Sequence, residues 1–291
     1  ESAGARYTQL QMNAQAAISA MELYEAFGET EYLSHGVSFA RILMACQASA
    51  VDPSFSIPLR GYFYENETHE RIQTYYHRSY EHAPIKAFAM LYRLAPEHED
   101  AARWKNSLEL YREYVALTSR TVPYGLLPNG IYELDNTDFS TITHEGARAA
   151  GAPSLEEYNA QVRNGIRLND RFYLRVFPVA YQFRGFHATL MGRALAAMEL
   201  ARALNDREIK QVAVRQMEWI LGCNPFAVSS MYGEGHDYHP LYAPMSPQLV
   251  GAVPVGFETF ENEDQPFYPM QNNAAYKEVW VHTTCRMMWL I

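Results

Sequence analysis

Apolar positions recur at threes and fours from the start of the chain. Tyr7, Leu10, Ala14, Ala17, Met21 and Tyr24 fall on one face of a helix, and Gly28 is placed to end it. Thr30 then caps a second segment in which Tyr32, Leu33, Val37, Ala40 and Met44 keep the same period up to the Asp52-Pro53 break. The two make a helical hairpin, and the pattern returns. The spacing predicts helices over 80–94 and 98–119, with Pro96 at the turn and Ala101, Trp104, Leu108, Tyr111 and Val115 on the inner face of the second. A third pair is predicted over 183–204 and 209–221, meeting across Asn205-Asp206, and a last helix over 274–291.

Between the hairpins the periodicity lapses. Residues 54–73 are aromatic and irregular, with room for a short strand pair, and 121–170 are punctuated by Pro123, Gly125, Pro128, Gly130, Gly146, Gly151 and Pro153, with one short helix expected over 155–164. Residues 222–273 form a third long loop, rich in Gly, Pro and aromatic side chains. No strand and helix rhythm and no G-x-G-x-x-G fingerprint occurs. The chain therefore reads as all-α. Helical hairpins either stack as an open solenoid or close into a toroid, and connections this unequal favour a toroid with its loops gathered at one mouth.

Composition narrows the function. A chain of 291 residues with 48% apolar and 20% charged side chains can bury one substantial core or two modest ones. Twenty-four basic against 33 acidic residues give a formal charge of -9, which argues against a grip on a phosphate backbone, so nucleic acid is not an expected partner. Cys46, Cys223 and Cys285 lie far apart with no C-x-x-C pair. No apolar run approaches the roughly 20 residues of a membrane-spanning helix. The start at Glu1, with no signal peptide, and the apolar end at Ile291 read as cuts from a longer polypeptide, so further domains are expected.

Candidate chemistry gathers late in the chain, at Glu234, His236, Asp237, His239, Tyr242, Asp264, Tyr268, Tyr276, Lys277 and Glu278. No histidine pair has the H-E-x-x-H spacing, and Asp135-Asn136-Thr137-Asp138 lacks the glycine and distal glutamate of a calcium loop, so no metal or other cofactor is expected. No G-x-S-x-G marks a hydrolytic serine. Loop aromatics suit carbohydrate, since sugar rings offer C–H faces to stack and hydroxyl rims to hydrogen-bond. The 21 tyrosines fit that demand, although packing between helices is the plainer account of any one of them.

The string Gln216-Met217-Glu218-Trp219-Ile220-Leu221-Gly222-Cys223-Asn224-Pro225, followed by Ser229, Gly233 and His239, resembles the late helix and substrate loop of family 9 glycoside hydrolases. Downstream, Gln248-Leu249-Val250-Gly251-Ala252 is similar to the family's G-x-L-V-G-like loop, and Tyr276-Lys277-Glu278-Val279 to the N-E-V segment that begins its last helix. Phe183-Arg184-Gly185-Phe186-His187 is similar to its L-R-Y-A stretch, whose arginine reaches the cleft. The resemblance implies an (α/α)6 toroid that hydrolyses β-linked glucan-type chains with inversion, in secreted or periplasmic proteins. No D-A-G-D base motif is present and the hairpins fall short of six, so residues 1–291 are expected to be one toroid domain lacking its N-terminal helices, with the general-base aspartate upstream.

On that resemblance Glu278 is the general acid. Such an acid must hold its proton near neutrality, for which Tyr276, Trp280 and His282 are placed to supply partial burial; the plainer account is a first-turn glutamate favoured by the helix dipole. Inversion also calls for about 6.5 to 9.5 Å between the two carboxyl groups, which suits residues from opposite ends of a chain. His239, His236, Arg184 and Tyr276 are expected to bind sugar. So are Tyr76, His77 and Arg78, at the opening of the second hairpin where the family places aromatic platforms, with Glu81 one turn on. Lys277 stands where the family has asparagine; beside the acid it would lower that acid's pKa, and in the cleft it would bind an anionic sugar. Two rivals follow: a uronate-directed lyase or epimerase on the same toroid, and a non-catalytic glycan-binding protein.

Overall fold

The computed structural model of the chain describes residues 8–75, 80–136, 154–179, 185–242, 248–260, 263–268 and 274–291. Three hairpins are as the periodicity predicts. Helix α1 (Gln9–Phe27) starts at Thr8, whose side chain accepts the Gln11 N–H, and ends at Gly28, whose φ of 73° turns its N–H back onto the Tyr24 carbonyl. Helix α2 (Thr30–Ala45) has Thr30 as its first helical residue and Glu29 in the cap position, so Thr30 is not the cap the sequence suggested. Helix α3 (Ala83–Leu94) begins later than expected, with Pro84 in its first turn, and α4 (Ala101–Thr121) follows.

The long connection after α4 is more ordered than its composition implied. It carries strand β1 (Gly130–Glu133), helix α5 (Leu155–Arg163) with a Ser154/Glu157 capping box, and strands β2 (Ile166–Arg167) and β3 (Phe172–Arg175). The strands pair antiparallel in the order β1-β3-β2, with Gly130 opposite Arg175 and Ile166 opposite Leu174. A small second cluster, Tyr132, Leu134, Tyr158, Val162, Tyr173 and Val179, packs between this sheet and α5.

Helix α6 (His187–Leu204) stops at Asn205, and Asp206 caps α7 (Arg207–Ile220) by accepting the Glu208 and Ile209 N–H groups. Strands β4 (Glu258–Thr259) and β5 (Pro266–Phe267) make a short hairpin in the last loop. The final helix is broken, which the sequence did not suggest: α8 (Ala274–Lys277) and α9 (Val281–Leu290) are separated by the extended residues Glu278 to Trp280.

The helices lie in two layers around one contiguous core. Helix α1 packs on α3, α3 on α6 and α6 on α9, forming an inner row; α2, α4 and α7 lie behind it. Every residue of α6 from His187 to Met198 is buried, as expected of a helix with neighbours on all sides. Inner and outer helices are joined by short turns, at 28–29, 95–100 and 205–206, whereas each return to the inner row is long, at 46–82, 122–186 and 221–280. All three long connections therefore meet the inner row at the N-terminal ends of α3, α6 and α9, and the Leu10 N–H, bonded to the Glu65 carbonyl, brings the start of α1 to the same end. Among the described residues, no helix is long and apolar enough to cross a membrane.

Candidate active site

The break in the last helix is imposed from outside it. Val279 forms an antiparallel bridge with Pro254; the Val255 N–H donates to the Glu278 carbonyl at 2.9 Å, and the Gly256 N–H to the Tyr276 carbonyl at 2.8 Å. Backbone groups that would have continued a helix are thus taken by the 254–256 strip. The helix resumes at α9, where the Thr283 hydroxyl donates to the carbonyls of Trp280 and Val253, each at 2.8 Å. Glu278 is consequently not a first-turn helical residue, and the helix-dipole account of it does not apply.

What fixes the 254–256 strip is His187, at the start of α6. Its Nδ1 lies 2.9 Å from the Pro254 carbonyl, its own N–H donates to Val255, and its ring lies so close to Gly256 that a Cβ there would come within 2.3 Å. Gly256 also has a φ of 96°, so this position needs glycine on two counts. Burial holds the imidazole down to about 4, so His187 is a neutral clamp. The sequence reading passed over this residue.

Glu278 is half-buried at the loop-bearing end of the inner row. The indole Nε1 of Trp280 donates to its Oε2 at 2.7 Å. An indole can only donate, so Oε2 is the acceptor in this bond. Lys277, by contrast, is buried, and burial lowers its ammonium pKa. Its carbonyl accepts the Tyr242 N–H at 3.0 Å, which ties the strip to the end of the 222–242 loop.

That loop is stitched together by motif residues. The side-chain amide of Asn224 donates to the carbonyls of Trp219 and Val228 and accepts the Phe226 N–H, closing the turn after α7. Ser229 pairs through its backbone with Asp237 and His239, and its hydroxyl accepts the Met231 N–H. His239 stacks on Tyr268, with ring centroids 4.0 Å apart and planes 5° from parallel. Burial, then the nearby charge of Lys277, lower the His239 pKa, while Asp237 opposes them; burial pushes the Tyr268 hydroxyl up to about 12. His239 thus presents a neutral, partly exposed imidazole, backed by the buried Tyr268 ring, close to the Lys277-Glu278 strip.

The structure brings Glu278, Tyr276 and His239 into one neighbourhood. His236 is exposed on the turn of the same loop. Arg184, Tyr76, His77 and Arg78 lie outside the described residues. Asp264 leaves the polar set, because its carboxylate accepts the Val176 and Phe177 N–H groups and lies 3.5 Å from the buried Arg175, a clasp between loops. Asp135 exchanges hydrogen bonds with Asn159 in a turn. Among the described residues no three His, Cys, Asp or Glu side chains gather as a metal site.

Beneath this end lies a polar layer of which the sequence reading named only Glu81, and that as a residue one turn past the second hairpin's opening. Glu81, Arg193 and Arg286 are all buried. One guanidinium nitrogen of Arg193 donates to Asn129 at 2.6 Å, and Asn129 in turn donates to the Tyr132 hydroxyl at 2.7 Å. Burial pushes the Glu81 carboxyl up to about 8, against the pull of both arginines.

No family model matches the chain, and no curated protein does. Solved structures do. The cellulase Cel9M of C. cellulolyticum superposes with a TM-score of 0.51 at 14% identity, over 96% of this chain and 48% of that one. The endoglucanase CelQ of Clostridium thermocellum, solved with cellotriose, matches at 16% identity and a TM-score of 0.37, over 96% of this chain and 46% of that one. The fold is an (α/α)6 toroid, present here as an incomplete ring. The chain spans about half the length of these structures. In the toroid, the end carrying the three long connections is the mouth, and the Glu278 strip sits there at the edge of the inner row.

Proposed function

We propose that the chain carries the acid side of an inverting β-glycoside hydrolase site acting on β-linked glucan-type oligosaccharides. Glu278 is the general acid, giving its proton to the glycosidic oxygen as the bond breaks. A general-base aspartate, supplied by sequence preceding this chain, activates the water on the opposite face. The observation that carries the reading is the break between α8 and α9. Three backbone contacts and one indole hold a half-buried carboxyl at the toroid mouth, where an ordinary helical glutamate would be freely solvated. Rigid placement of this kind is what proton transfer in a transition state requires.

The other candidates serve the sugar. His239, stacked on Tyr268, offers a flat imidazole face to a sugar ring, and Tyr276, His236, Arg184, Tyr76, His77 and Arg78 are assigned to sugar binding on the resemblance. The buried Lys277 does not favour an anionic sugar at this position. The resemblance to secreted or periplasmic glycoside hydrolases supports a site of action outside the cytoplasm.

The test is a panel of β-glucan and uronate-containing oligosaccharides offered to the intact natural polypeptide, with the first-formed anomer read by NMR. Hydrolysis of a β-glucan with the α-anomer appearing first supports the reading. Unsaturated uronate products absorbing in the ultraviolet would replace it with an eliminating enzyme, and saturable binding without turnover would replace it with a glycan-binding protein.

A further inference from the structure

A histidine ring lies flat on a tyrosine ring at two places on the long connections, at His239–Tyr268 and at His69–Tyr64. The second pair belongs to a hairpin in the first connection, where Tyr64 bridges to Ile72 and the Glu65 N–H donates to the Arg71 carbonyl at 2.9 Å. At the hairpin tip His69 has a φ of 59°, in the left-handed region that is costly for a residue with a side chain. Its own imidazole holds it there. Nε2 lies 2.7 Å from the carbonyl of Ala45, the last residue of α2, and because a carbonyl only accepts, Nε2 is the donor. The ring sits on Tyr64 with centroids 4.0 Å apart and planes 10° from parallel, and the Tyr64 hydroxyl lies 3.3 Å from that of Tyr62.

Satisfying a helix-terminal carbonyl explains one edge of the imidazole. It leaves the rest of the ring unexplained. With one face on Tyr64 and one edge on Ala45, His69 is still exposed, so its other face and its Nδ1 edge meet water. A fixed aromatic face with a hydrogen-bonding edge matches the C–H face and hydroxyl rim of a sugar ring. The surrounding tip supplies further acceptors. The Thr68 hydroxyl lies 2.8 Å from Asn66 Oδ1 and 2.9 Å from Glu70 Oε1, and Glu67 and Glu70 are both exposed. Carboxylates accept from sugar hydroxyls and repel an anionic ligand, which selects a neutral sugar over a uronate here.

We propose that the His69–Tyr64 stack is a second glycan-binding site, which takes one ring of a neutral β-glucan at the outer margin of the mouth, apart from Glu278. The platform stands over the end of the outer helix α2, and its tip is tied to the start of α1 by the Glu67 N–H donating to the Gln9 side chain at 3.2 Å. Helices α3 and α6 lie between that hairpin and the strip before α9. A glucan that reaches both places is therefore a long one, and a short oligosaccharide turned over at Glu278 does not touch His69. The choice of glucan rests on the hydrolase reading of Glu278; the platform rests on its own geometry.

The test compares His69→Asn with the parent residue in the intact natural polypeptide, because asparagine tolerates the left-handed φ and gives up the ring. Binding is read as retardation in native gels containing a soluble β-1,4-glucan, in a Glu278→Gln background so that the glucan is not consumed. The expected result is a Kd for the glucan raised about threefold or more, the size of one aromatic stack. In protein that keeps Glu278, turnover of cellotriose should stay within about twofold of the parent. A second measurement uses the parent protein. The His69 ring signals, assigned in NMR spectra by their loss in His69→Asn, are expected to shift on titration with cellotetraose. Unchanged retardation together with unmoved ring signals overturns the proposal, even if His69→Asn lowers the melting temperature, since that alone marks a hairpin lock. No retardation of the parent protein overturns it too. Loss of retardation in a polypeptide that turns over no oligosaccharide upholds the platform and removes the hydrolase reading, whereas turnover with retardation untouched by His69→Asn does the reverse.

Discussion

Helices α6 and α9 are neighbours in the inner row and are built from similarly apolar sequence, yet one is enclosed and the other only half so. Around α6 every position from His187 to Met198 meets protein. On α9 the side toward α6 is buried, while Val281 and Met288 face outward. The difference separates two kinds of information. The sequence of α6 is accounted for by contacts within the described chain; the outer half of α9 is not. The candidate site lies on the boundary, since the strip before α9 is held by α6 through His187 and opens toward the unfilled side.

The sharpest test of that contrast is truncation on each side of it. Leu195→Ala, in the enclosed stretch of α6, is expected to cost about 2 to 5 kcal/mol in urea unfolding, through lost burial and the cavity left behind. Met288→Ala in the same chain should change stability by less than about 0.5 kcal/mol, because little of that side chain is buried. Equal costs would break the contrast. Next in size is the joint between middle and edge. Gly256→Ala forces a Cβ into the His187 ring and a positive φ onto alanine, and is expected to cost about 2 kcal/mol while releasing the 276–280 strip, seen as faster amide exchange at Val255 and Gly256.

The enclosed middle also leaves a signature in pH. Burial raises the Glu81 carboxyl from 4.5 to about 8, so between those values the folded state holds a proton the unfolded chain has lost, and stability falls as pH rises. Burial lowers His82 from 6.5 to about 3 and His187 from 6.5 to about 4; below pH 6.5 the unfolded chain gains protons the folded state refuses, and stability falls as pH drops. Together these three groups place the maximum near pH 6.5. Glu81→Gln should flatten the alkaline side by at most about 1.4 kcal/mol per pH unit and steepen the acid side by as much between pH 4.5 and 6.5. A variant curve parallel to wild type throughout would remove Glu81 from the account. A local effect is expected behind the row, where Asp206→Ala removes the cap of α7 and its ion pair with Arg112, for about 1 kcal/mol in thermal unfolding.

The hairpins were legible because apolar spacing and the Gly28 and Asn205 stops are local signals, read without knowing any neighbour. The break at Glu278 was not, since no Gly or Pro marks it; it is made by the 254–256 strip, more than twenty residues away. Short strands such as Ile166–Arg167 carry too few residues for alternation to show. The Glu81, Arg193 and Arg286 layer was hidden for another reason. Each residue alone reads as a surface charge, and only the fold buries them together. At the site itself, motif resemblance pointed to Glu278, His239 and Tyr276 and offered Trp280 only as burial, while the hydrogen bond from its indole and the His187 clamp emerged only from the fold.

The most direct test of the central claim is the leaving-group dependence of Glu278→Gln in the intact polypeptide. Glutamine keeps the hydrogen bond from Trp280 and gives up the proton. On oligosaccharides, whose leaving alcohol needs protonation, the account predicts a loss of roughly 10²-fold or more in kcat/KM, shrinking toward wild type on dinitrophenyl β-glycosides, whose leaving group departs unaided. A loss of the same size on both substrates, or no loss on either, would contradict the assignment of Glu278 as the general acid.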